Sequence, residues 1–275
     1  MFARFSTHAG ALTLVGASLS IATPASAGIG DLLVAPTRVV LDGRRGTEVI
    51  LNNIGDDVAT YRVTAELRRM TADGKLVDVP TPSDADKIAQ EMVLFAPRKV
   101  TLPPNQPQAI RLSARVPQGV ADGEYRIHLL FRAIPPAQPQ VATPVQKVEG
   151  VSFRLTPIYG VTIPVIVRLG NLEATAAISN VHKASVEGQP VIAMDIDRKG
   201  ARSTFGEVRV MKAGVSDPIA VVRGIAIYTE INRREVLVPV DPKLAAQASG
   251  AVTVQYVEPT DSGPVMLAET SATLR

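Results

Sequence analysis

Few residues of this chain could perform chemistry. It has no cysteine and three histidines, which removes thiol nucleophiles, cysteine-ligated metals and disulfides together. His8 falls in an N-terminal apolar leader. His128 sits in a strand-like run, where it reads as structural or half-exposed, and His182 lies near a turn at 181–185. Neither has a second histidine or a carboxylate at metal-ligand spacing, and no H-x-x-x-H, G-x-S-x-G or phosphate-loop pattern occurs. No enzyme activity, metal or cofactor is expected. The basic pairs Arg44-Arg45 and Arg68-Arg69 read as solvated faces or turns. With no Lys/Arg block and no interleaved aromatics, nucleic-acid binding has no support.

What the sequence offers instead is recognition by backbone. Residues 151–168 read VSFRLTPIYGVTIPVIVR, with no charge between Arg154 and Arg168. The odd positions, from Val151, Phe153, Leu155, Pro157 and Tyr159 on to Val167, are all apolar or aromatic. Among the even positions only Ile158 and Ile166 are large aliphatics. Period 2 means an extended strand with one apolar face, and it excludes a membrane helix on pattern as well as on length. Eighteen residues at about 3.3 Å each would span roughly 60 Å, beyond what one sandwich covers. Pro157 and Pro164 have opposite parity, so their missing N–H groups point to opposite edges. A break or bulge between them, at Gly160, is expected. Two readings stay open: an edge strand partly lent to a partner by strand addition, or two core strands joined by a glycine bend.

The elements that would position this strand are also short strands. At 46% hydrophobic residues over 275 positions, the chain has ample material for one or two cores, built from aliphatics because aromatics are 4%. Arg4, an apolar run and Ala25-Ser26-Ala27 form a secretory signal peptide over 1–27, cut after Ala27. Losing Arg4 leaves 28 Lys and Arg against 26 Asp and Glu, about +2. Strands are predicted at 32–41, 47–53, 60–69, 92–96, 109–114 and 125–134, with a D-G hairpin signal at Asp73-Gly74. A Pro- and Gln-rich loop at 135–146 precedes the long strand. Seven more are predicted at 172–179, 191–197, 207–212, 220–228, 235–240, 251–257 and 265–274. One short helical turn is expected within 83–92 and another within 241–248. The pattern predicts an all-β chain of two immunoglobulin-like sandwiches in tandem, 28–168 and 169–275, with the boundary at Leu169-Gly170-Asn171.

Several stretches together resemble the periplasmic chaperones of the chaperone–usher pathway for pilus assembly. They are TRVVLDG (37–43), VILNNIGDDVATYRV (49–63), PRKVTLPPNQPQAIRLS (97–113), LLFRAIPP (129–136), IPVIVR (163–168) and TDSGPVML (260–267). The resemblance covers nearly all of the chain after the leader and is strongest in its first half. It implies a periplasmic protein that lends its long strand to pilus or fimbrial subunits and passes them to an outer-membrane usher, without inserting in the membrane. By position, Val151, Phe153, Leu155 and Tyr159 would be the donor-strand contacts. Arg38, otherwise a solvated strand residue, would anchor the subunit's C-terminal carboxylate. Glu124, Arg168 and Asp261, otherwise three separate surface charges, would form an interdomain cluster. The chain departs from the family at Pro164, which stands where a second anchoring Lys is expected. Arg154 and Arg111 are the candidate substitutes. The rival reading is a secreted structural or adhesive sandwich protein such as a pilus subunit. The short segment 28–33, which leads straight into the first strand, speaks against it.

Overall fold

The computed structural model describes residues 31–135 and 158–275. In the first half, alternating runs of Val, Ile, Leu and Tyr turn one face inward and pair into two sheets. One has the order β1 (Leu32–Ala35), β3 (Thr47–Asn53), β9 (Pro107–Ala114) and β7 (Val93–Ala96). The other has the order β2 (Val39–Leu41), β11 (Gly160–Leu169), β10 (Gly123–Ile134), β4 (Ala59–Glu66) and β8 (Lys99–Leu102). Between them lie Val49, Leu51, Tyr61, Val63, Ile110, Leu112, Ile127, Leu129, Phe131, Ile163 and Val165, all buried in one cluster. The second half packs the sheet β12 (Ala174–Val186), β13 (Gln189–Gly200) and β16 (Arg233–Pro239) against β15 (Ala220–Ile227), β14 (Thr204–Met211), β17 (Gly250–Thr260) and β18 (Gly263–Leu274). Its core of Ile192, Met194, Val208, Val210, Val238, Val254 and Tyr256 is a separate cluster. The architecture is two immunoglobulin-like sandwiches, each a pair of packed, mostly antiparallel sheets.

All seven strands predicted in the second half are present. The first half differs in physically instructive ways. The run 32–41 is two strands, because the chain crosses at Pro36-Thr37-Arg38 from one sheet to the other while its apolar pattern continues. The run 60–69 divides at Leu67: β4 stays in the sheet, and β5 (Arg68–Met70) turns away to pair with β6 (Leu76–Asp78) around the predicted D-G turn. The segment 83–92 is a helix of nine residues, α1 (Asp84–Met92). Ser83 caps it, and Asp86 reaches back to the cap in a reciprocal box. Asp86 also accepts both contacts from Arg69 Nη2 (2.6 and 2.7 Å), tying helix to hairpin.

No bulge is present in β11, whose register to β10 runs unbroken from Arg132↔Gly160 to Gly123↔Leu169. The reason lies in the direction of the peptide groups. Ala133 N–H donates to Tyr159 C=O (3.0 Å). By the alternation of an antiparallel ladder, Tyr159, Val161, Ile163, Val165 and Val167 point their peptide groups at β10. Gly160, Thr162, Pro164 and Ile166 point theirs the other way. Pro164 therefore lacks an N–H on the side where β10 does not need one. Pro157 lies outside the described residues.

Candidate functional site

The side of β11 away from β10 is covered only in part. β2 pairs with it in parallel at Val165↔Val39, Ile166↔Val40 and Val167↔Leu41. From Gly160 to Pro164 that edge has no partner strand among the described residues. It presents the N–H and C=O of Gly160 and Thr162 and the C=O of Pro164. Next to it, Ile158 and Tyr159 are 47% and 53% exposed, while Ile163, Val165 and Val167 are buried in the core. Of the four predicted donor-strand contacts, Tyr159 is thus placed, exposed at the start of the open edge. Val151, Phe153 and Leu155 lie outside the described residues, as does Arg154.

The open lane ends where β2 begins, at Val39, and the residue before Val39 is Arg38. Arg38 faces a cleft of about 810 Å³ between the two sandwiches, lined also by Thr37, Arg168, Arg202, Phe205 and Asp261. Its guanidinium carbon lies 4.7 Å from the centre of the Phe205 ring and 6.0 Å from that of Tyr228, within cation–π range. Nη2 donates to Ser203 Oγ (3.1 Å). Nη1 is buried and has no partner, and Arg38 makes no ion pair among the described residues. Burial holds the Arg38 group below the usual arginine value, with the neighbouring charge of Arg168 adding in the same direction and Tyr228 opposing. The group is a partly desolvated cation short of a counter-ion, the condition in which a carboxylate is bound most strongly.

Glu124 and Arg168 face each other directly across the β10–β11 ladder. Arg168 Nε donates to Glu124 Oε2 (3.0 Å), and the Glu124 side chain is fully buried. Oε2 accepts two further bonds from the second sandwich, from the Ser203 N–H (2.9 Å) and the Ser203 hydroxyl (2.9 Å). Asp261 is exposed and lines the same cleft, but makes no ion pair among the described residues. The contacts on this pair from the second sandwich come from Ser203. Arg202, next in the chain, is held in a fork by Glu258 (2.9 and 2.8 Å). Arg111 lies on the other sheet, paired with Glu48 (3.3 Å), and does not line the cleft. The cations that do accompany Arg38 there are Arg168 and Arg202.

A second set of contacts, which the sequence reading missed, locks the sandwiches together. The even-numbered face of β10 and β11 carries Arg126, His128 and Ile166 toward the second sandwich. Ile166 is buried with Met70, Ala226 and Tyr228. Arg126 binds Glu230 through both carboxylate oxygens (2.5 and 3.1 Å) and lies 3.6 Å from the centre of the Tyr228 ring. Glu230 Oε1 also accepts the Met70 N–H (2.7 Å), and Glu235 N–H donates to Ala72 C=O (2.8 Å), so the β5–β6 hairpin straps the second sandwich. His128, far from half-exposed, is 1% exposed and packs edge-on against Tyr228. Burial, then the charges of Arg126 and Arg68, push its pKa down to about 3. The one signal for this face was the pair of even-position apolar residues, Ile158 and Ile166, and of these Ile166 is the one that docks.

No family model matches the chain, and no curated protein matches it. Among solved structures it is similar to the E. coli chaperone DraB (15% identity, TM-score 0.46, covering 91% of this chain and 99% of that one). It is also similar to a chain of the Salmonella enterica SafA pilin–SafB chaperone complex (13%, 0.44, 90% and 99%) and to the Pseudomonas aeruginosa CupB2 chaperone (12%, 0.44, 88% and 100%). At these identities and TM-scores the likeness carries nothing about ligand or partner, which rest on the geometry of the strand edge and the cleft.

Proposed function

We propose that this protein is a periplasmic chaperone that binds pilus or fimbrial subunits by strand donation and delivers them to an outer-membrane usher. The observation that carries the reading is the open edge of β11 over Gly160–Pro164, ending at Arg38. A strand added in that lane takes the place β2 holds further along, and β2 stops it at Val39. Running parallel to β11, as β2 does, the added strand brings its C-terminal end to Arg38. Running antiparallel, it would bring an ammonium group to an unpaired guanidinium, which Coulomb repulsion disfavours. The site therefore selects a parallel strand ending in a carboxylate. Backbone bonds from Gly160 and Thr162 supply affinity, and the apolar odd face of 151–159 supplies side chains for the partner's groove.

The reading is tested by co-expression with pilus subunits. The wild type is expected to purify as a 1:1 complex, and Phe153→Asp combined with Leu155→Asp to lose it, because two carboxylates would have to enter an apolar groove. An unchanged yield of complex with the double variant would rule out donation of 151–159.

A further inference from the structure

Arg38 enters the cleft from the first sandwich, yet its one polar partner among the described residues belongs to the second. Ser203 precedes β14 and is 0% exposed. Its hydroxyl accepts from Arg38 Nη2 (3.1 Å) and from Arg168 Nη2 (3.4 Å), and it donates to Glu124 Oε2 (2.9 Å). A hydroxyl has one proton and two lone pairs, so every bond it can make is spent on side chains of the first sandwich. Its main chain works alongside: the N–H donates to Glu124 Oε2 (2.9 Å) and the C=O accepts from Arg168 Nη2 (3.1 Å). With one arm of Arg38 held by Ser203 and its flat face on Phe205, the guanidinium has a fixed rotation. That rotation leaves Nη1 without a partner among the described residues.

The loop that presents Ser203 is itself held. Arg198, 3% exposed, donates to the carbonyls of Gly200 (2.7 Å) and Arg202 (3.0 Å) on one side of Ser203's loop. It also donates to those of Ile231 and Thr229 (both 3.4 Å) in the loop that carries Glu230. Ser203 is therefore a fixed point rather than a mobile surface serine.

We propose that Ser203 is the positioning residue of the cleft's anion site: by holding one arm each of Arg38 and Arg168, it aims both guanidinium groups at a single chain-terminal carboxylate. The proposal rests on the reading of Arg38 as a carboxylate anchor. It assigns to Arg168 the place of the second cation, which Pro164 cannot fill. It also makes the anion site a property of the docked sandwiches, because the cations come from one and the hydroxyl that orients them from the other.

The test uses the mature protein and two labelled peptides of nine alternating Val and Thr residues, each with two lysines at the N-terminus for solubility. One ends in a free carboxylate and the other in an amide, and both affinities are read by fluorescence polarisation. The wild type is expected to prefer the free carboxylate roughly ten- to hundredfold, the worth of hydrogen bonds to a charged group. Arg38→Ala should abolish that preference. Ser203→Ala, and the similar-sized Ser203→Cys should the alanine variant fold poorly, should reduce it to about threefold or less while leaving the amide's affinity unchanged. Ser203→Thr, which keeps the hydroxyl, should restore it. A preference unchanged in Ser203→Ala but lost in Arg38→Ala overturns the role of Ser203 and leaves the anchor standing. Equal weakening of both peptides by Ser203→Ala reduces Ser203 to a structural residue and also overturns it. No preference in the wild type overturns the anchor reading itself.

Discussion

Replacing Glu230 by alanine is expected to undock the two sandwiches, at a cost of about 3–5 kcal/mol in docking free energy, the range for removing one partner of a buried ion pair. The loss is large because Glu230 satisfies three donors at once: both terminal nitrogens of Arg126 and the Met70 N–H. The Arg126 side chain is 6% exposed. Without its carboxylate it remains a buried charge with only the Arg68 carbonyl (3.2 Å) and the Tyr228 ring for company. The apolar part of the interface is small, with Met70, Ile166, Ala226 and Tyr228 as its buried members, so little remains to compensate. Glu230→Gln should cost less, since it keeps an acceptor for Met70. Calorimetry and small-angle scattering check this: the alanine variant should melt in two separated transitions and show a larger radius of gyration. A single transition near the wild-type temperature would mean that the strap and Ser203 suffice.

Acid is expected to weaken the same interface, with His128 as a principal cause. Its folded pKa is about 3, below the ordinary 6.5, because burial and then Arg126 and Arg68 oppose its charge. Both ring nitrogens lack partners among the described residues. Its cross-strand neighbour Glu66 is engaged by Arg68 (2.7 Å). As pH falls below 6.5 the unfolded chain takes up the proton first, so stability is lost progressively down to about pH 3 and changes no further below it. The loss is on the order of a few kcal/mol. Carboxylates titrate in the same window, so the contribution is read as a difference. His128→Phe or His128→Leu should flatten the stability profile between pH 6.5 and 3 relative to the wild type. Parallel profiles would show that His128 is not buried neutral against Tyr228.

Much of the fold was legible because period 2 is a local signal. The odd face of the long strand enters the core at Ile163, Val165 and Val167, and each run predicted after residue 171 is a strand. The sheet switch inside 32–41 was not legible, because inward-facing apolar residues continue through it and only tertiary pairing decides which sheet they serve. The cleft was half legible. Arg38 and the Glu124–Arg168 pair came from family resemblance rather than from any local pattern. Ser203, Tyr228 and Glu230 carry no signal of their own: a serine before a strand and a Tyr-Thr-Glu turn are ordinary sequence. Their role arises from contacts such as those of Ser203 with Glu124 and Arg38 and of Glu230 with Met70, which are 79, 165 and 160 residues apart along the chain, and which no periodicity encodes. His128 was legible as structural or half-exposed, and its full burial was not, for a related reason. It sits on the outer face of its sheet, normally solvated, and that face is covered here by the other sandwich.

Strand addition at the open edge of β11 can be followed by amide hydrogen exchange resolved to single residues, with and without a co-expressed pilus subunit. Gly160 and Thr162 turn their N–H groups to the open edge, whereas Val161 and Ile163 already bond β10. Binding is predicted to protect Gly160 and Thr162 strongly and to change Val161 and Ile163 little, an alternation that only a new strand in that lane produces. Exchange at Gly160 and Thr162 that stays as fast in the complex as in the free protein would rule out a strand added in that lane.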